Sequence, residues 1–75
     1  MVVNLSECRE GKNATVKDIE GGINSQKRLK DLGILDNEKI RIVKNDKTGP
    51  IIIQVKGANI AIGRNISKKI NVEVI

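Results

Sequence analysis

Cys8 is the one thiol of this sequence and its most intrinsically reactive nucleophile, and the chain offers neither it nor any hydroxyl or amine an evident activating partner. There is no His to take its proton and no second Cys to pair with it or to share a metal. A thiol so placed reads as a small buried hydrophobe. Asp18 with Glu20, and Asp36 with Glu38, are carboxylate pairs of the kind that general acid and base catalysis uses. Each pair adjoins a turn signal, Gly21-Gly22 in one case and Asn37 in the other, and reads as solvated turn residues. Without His or a second Cys there is no structural zinc site, and a ferrous site would need carboxylates alone. The glycines form neither a Walker-type phosphate loop nor a dinucleotide fingerprint. The expectation is a protein that is not an enzyme, with no cofactor and no metal-ligating residues.

Binding modules come next. Fourteen basic and nine acidic residues give a net charge of +5, but the longest basic blocks are Lys27-Arg28 and Lys68-Lys69. Aromatic residues are absent, so bases cannot be stacked and a proline-rich peptide finds no aromatic walls. A nucleic-acid partner would have to be held by backbone electrostatics, through residues such as Lys27, Arg28, Arg41 and Arg64. No nucleic acid is therefore expected, and a small basic nucleic-acid-binding barrel is the least favoured alternative. The 75 residues predict one domain, 1–75, with a core of Ile, Val, Leu and Ala. A lone Cys gives no disulfide, and no leader or run of eighteen apolar residues is visible, so the expected compartment is the cytoplasm with no membrane insertion.

The element that must position any docking residues is the run Asn24 to Ile34. Asn24 or Ser25 can cap it, Leu29 and Leu32 lie three apart on one face, and Gly33 is placed to end it, which predicts a helix over about residues 25–32. Ile34 then falls where a helix-terminating motif wants an apolar contact, with Leu29 as its partner. So short a helix must dock, and both leucines are expected to plug the core. Around it the sequence alternates with a period of two over 12–19, 39–44, 51–56, 60–64 and 70–74, separated by turn signals. Residues 56–59 read as a hairpin loop, 67–69 as one helical turn, and 1–5 as an opening extended segment. Five short strands and one brief helix predict a mainly β protein, a small, partly closed antiparallel barrel.

The segments Arg28-Leu29-Lys30-Asp31-Leu32-Gly33-Ile34, Gly49-Pro50, Ile60-Ala61-Ile62-Gly63-Arg64 and Ile70-Asn71-Val72 resemble, in order and spacing, the FeoA family. Its members are small cytosolic companions of FeoB, the GTP-binding ferrous-iron transporter. Two departures stand out: Asp36-Asn37 where the family commonly has Pro-Gly, and Ser67 where a small Ala is usual. The resemblance implies an SH3-like barrel and a non-enzymatic role in ferrous-iron uptake, through contact with the cytosolic G-protein domain region of FeoB. It also allows recruitment to the inner face of the cell membrane. The alternative is a stand-alone interaction module like the C-terminal domain of iron-dependent repressors. On the first reading the helix and its Gly33 corner form the docking surface. Lys27, Arg28 and Lys30 then supply polar rim contacts, and Ile34 or Leu35 an apolar anchor.

Overall fold

The computed structural model describes residues 1–75. Six strands, β1 (Val2–Asn4), β2 (Asn13–Ile19), β3 (Lys39–Lys44), β4 (Ile51–Val55), β5 (Ala58–Ile62) and β6 (Ile70–Val74), form one antiparallel sheet in the order β1-β6-β2-β3-β4-β5. Helix α1 (Ile23–Asp31) joins β2 to β3, the short α2 (Arg64–Ser67) joins β5 to β6, and a 3-10 turn at Leu5–Glu7 follows β1. This is the mainly β architecture that the alternation implied, and the SH3-like fold that the family resemblance implied.

Alternation sets the inside from the outside. Ala14 and Val16 of β2, Ile40 and Ile42 of β3, Ile51, Ile53 and Val55 of β4, and Ile70 and Val72 of β6 are all buried, and Arg41 and Gln54 between them are exposed. Register breaks between Val16 and Asp18 in β2 and between Ile42 and Lys44 in β3 bend the two central strands. Such bulges add twist and let a sheet of short strands curl over its own apolar face. The result is a single cluster of 14 buried residues, aliphatic except for Cys8, to which the 3-10 turn adds Leu5 and the α1 region adds Leu29 and Ile34.

Several boundaries differ from the sequence reading, each for a local reason. Residues 2–4 form a true sixth strand because β6 offers them a free edge, pairing Val2 with Glu73, Val3 with Val72 and Asn4 with Asn71. The loop between β4 and β5 is only Lys56-Gly57, both with positive φ (52° and 83°), so Ala58 and Asn59 belong to β5. Primed hairpin turns usually announce themselves by Asn or Asp at the first position; Lys56 carries no such signal. The second helical turn is Arg64–Ser67, three residues earlier than expected. There Ser67 is completely buried and its Oγ donates to the Arg64 carbonyl at 2.6 Å, so a hydroxyl fits where size is limited.

Helix α1 begins at Ile23 with Gly22 as N-cap and no capping side chain; neither Asn24 nor Ser25 serves. Its first turn is tied down instead by Gln26, whose Nε2 donates to the carbonyls of Ile19 at 3.1 Å and Gly21 at 3.2 Å. Leu29 is buried as expected, but Leu32 is 45% exposed and does not plug the core. Leu32 is the last residue before the chain reverses, and the reversal delivers Ile34, fully buried, into the core instead.

Candidate protein-docking surface

The C-terminal end of α1 is built by a two-bond terminating motif. Ile34 N–H donates to Leu29 O at 3.0 Å and Gly33 N–H to Lys30 O at 2.9 Å, and Gly33 has φ +90°. Those are the bonds of a Schellman turn, and they need a residue at ease with positive φ at Gly33. Because Leu29 and Ile34, on either side of the turn, share the core cluster, the corner is fixed to the barrel. Whatever projects from it is held on a rigid mount.

What projects is mixed. Lys27, Arg28 and Lys30 are exposed and take part in none of the ion pairs, which join the N-terminal ammonium to Glu73, Lys44 to Asp46 and Lys56 to Glu38. Leu35, 40% exposed, is an apolar group on the surface. Gly33 is half-buried, and Ile34 lies wholly inside, so of the two candidate anchors only Leu35 presents side chain to a partner. The structure also brings in groups that the linear spacing did not associate with the helix. Arg28 and Leu32 face Ala61, Ile62 and Ile66 across a recess of about 200 Å³, whose lining apart from Arg28 is apolar residues and Gly63. A smaller recess of about 120 Å³ adjoins it at Asn24 and Ser25 of α1, with Arg28, Leu29 and Ile66 common to both. Residues 61–66 are remote from α1 in the chain, so only the fold reveals this furrow.

Arg64, grouped by sequence with the free cations, is committed to structure. Its Nε donates to Gly49 O at 3.1 Å and its Nη2 to Asn45 Oδ1 at 2.9 Å, while Asn45 Nδ2 donates to the carbonyls of Ser6 at 3.0 Å and Cys8 at 2.7 Å. One guanidinium thereby ties the β3–β4 loop to α2 and, through Asn45, to the 3-10 turn.

Titratable groups show no catalytic arrangement. Cys8 is buried, and that burial, with a smaller contribution from the nearby Glu7 charge, pushes its thiol pKa above the ordinary 9.0. A thiol kept protonated is a poor nucleophile. Glu73 titrates below the ordinary 4.5, chiefly because it accepts a hydrogen bond from the N-terminal ammonium. No three Cys, Asp or Glu side chains converge as a metal-binding group, and no helix is long and apolar enough to cross a membrane.

The FeoA domain family matches residues 3–74. A candidate Fe(2+) transport protein A of Methanocaldococcus jannaschii is 42% identical over 69 residues, covering 92% of this chain and 83% of its own. A crystal structure of an iron uptake regulatory protein, FeoA, superposes with a TM-score of 0.95 at 35% identity and full coverage of both chains. A manganese-dependent transcriptional repressor contains the same fold, with a TM-score of 0.90 over 99% of this chain and 42% of the repressor; at 21% identity the likeness is one of fold.

Proposed function

This chain belongs to the FeoA family, a non-enzymatic accessory of ferrous-iron transport, and from that premise we propose that it acts by docking onto the cytosolic G-protein domain region of FeoB. It does so from the cytoplasm, at the inner face of the cell membrane. The observation that carries the reading is the α1 corner: a rigid turn that holds Leu32 and Leu35 partly exposed beside three unpaired cations. An apolar centre with a charged rim is the anatomy of a modest protein–protein interface. Arg28 and Lys30 supply rim contacts, Lys27 extends the basic margin, Leu35 and Leu32 anchor, and Gly33 and Ile34 hold the geometry.

Calorimetry with the cytosolic portion of FeoB, in its guanine-nucleotide-bound and nucleotide-free forms, tests this. Saturable heat in at least one state is expected, weakened by the double charge reversal Lys27→Glu/Arg28→Glu without loss of fold. Absence of heat in every state, with a folded partner, overturns the reading.

A further inference from the structure

The two outermost strands of the sheet are finished differently. β1 is only three residues long, turns directly into the 3-10 turn, and the Asn4 carbonyl at its end accepts from Cys8 Sγ at 3.8 Å. A short edge closed off in this way is blunted against further pairing. β5 has none of these devices. Its sequence, Ala58-Asn59-Ile60-Ala61-Ile62, carries no charge and no Pro, and its register with β4 runs unbroken from Val55–Ala58 to Ile51–Ile62.

In a two-residue hairpin the pair flanking the turn exchanges both hydrogen bonds, and bonded pairs then recur at every second position. The bonded residues of β5 are thus Ala58, Ile60 and Ile62, and the N–H and C=O groups of Asn59 and Ala61 point away from β4. No backbone or side-chain group outside the sheet pairs with them. The same stretch borders the furrow, since Ala61 and Ile62 line it opposite Arg28 and Leu32. The lining includes an exposed, unpaired arginine and no acid.

We propose that the free edge of β5 receives an extended segment of a partner protein as an added strand, with apolar side chains of that segment entering the α1 furrow and an acidic one meeting Arg28. The occupant is specified by charge. Arg28 lies in the lining, Lys27 and Lys30 are on the same helix, and the chain carries +5 overall, so the complement is an acidic, apolar strand. A second copy of this chain brings the same positive charge. This inference deepens the partner-docking reading and rests on it for its biological partner, but strand addition is measurable without that partner.

The probe is a blocked synthetic peptide of alternating Val and Glu, added to isotope-labelled protein and followed by amide hydrogen exchange. Exchange at the Asn59 and Ala61 amides is expected to slow by about tenfold or more at saturation, an effect of the backbone bonds themselves. Ala61→Pro removes an outward N–H without touching the β4 ladder, a substitution an edge strand tolerates. It should abolish binding with the β4 amides still protected, and Arg28→Glu should weaken binding several-fold. A peptide N-methylated at alternate residues applies the same test to wild-type protein, and it should fail to bind. No binding of the unmodified peptide, binding without protection at Asn59 and Ala61, or self-association through β5 in place of binding overturns the proposal. FeoB binding that survives Ala61→Pro also overturns it, and leaves the docking function intact.

Discussion

Leu29 and Ile34 lie within seven residues of Leu32 and Leu35, and the four side chains are near-equivalent in size and hydrophobicity. Yet the first pair is buried to 3% and 0% exposure and the second stands 45% and 40% exposed. Helical spacing does not separate them, since Leu29 and Leu32 are three apart. The Schellman turn does: it ends the helix at Leu32 and swings the chain so that Ile34 occupies the core. One backbone device thus sorts four apolar residues into two that hold the fold and two that stand partly exposed on its surface.

The sharpest way to break that comparison is to truncate each member. Leu29→Ala and Ile34→Ala should each lower unfolding free energy by about 2 to 5 kcal/mol in urea melts, a large share of a small domain's stability. Leu32→Ala, expected from sequence alone to cost as much, should cost under about 1 kcal/mol because nearly half the side chain is already in water. Equal losses at positions 29 and 32 would erase the distinction.

The sorting device can be loosened next. Gly33→Ala places a Cβ 4.0 Å from Val55 Cγ1, an ordinary contact, so the cost is that of holding an L-residue at φ +90°, about 1 to 2 kcal/mol. Gly33→Asn should recover part of it, because Asn tolerates the left-handed region. Equal urea midpoints for both variants and the wild type would show that the turn does not constrain the helix end.

The outward pair should then behave in the opposite sense. The double variant Leu32→Ala/Leu35→Ala should keep a near-native melting curve and lose about tenfold or more in affinity for FeoB's cytosolic portion, as central apolar contacts do. Unchanged affinity with unchanged stability would leave those side chains without a role.

The smallest effects are electrostatic and lie outside this contrast, which makes them controls. Glu73 has a lowered folded pKa, so its contribution is present above about pH 4.5 and fades as pH falls through the folded value; Glu73→Gln should remove that slight acid sensitivity. Cys8 works the other way. Its raised pKa gives stability that is full below the ordinary 9.0 and declines at more alkaline pH, and Cys8→Ala should flatten that alkaline limb.

Strand identity was legible because period-two burial is written directly in residues such as Ile40-Arg41-Ile42 and Ile53-Gln54-Val55. The Gly33 stop was legible because few residues other than glycine suit φ near +90°. Leu32 was misassigned because periodicity knows nothing of where a helix ends in space. The furrow was hidden for a different reason: Ala61, Ile62 and Ile66 meet Arg28 and Leu32 only through the sheet order, and no local pattern encodes that meeting. Arg64 looked like a free cation because its acceptors, Gly49 O and Asn45 Oδ1, are likewise brought to it by the fold.

The most direct test is an amide chemical-shift map of the labelled domain as FeoB's cytosolic portion is added. Perturbations are predicted to concentrate on Arg28, Leu32, Leu35, Asn59 and Ala61, with Arg41 and Gln54 elsewhere on the sheet unmoved. Perturbations centred on Arg41 and Gln54 instead, or none with a folded partner, would contradict a docking role for this corner of the molecule.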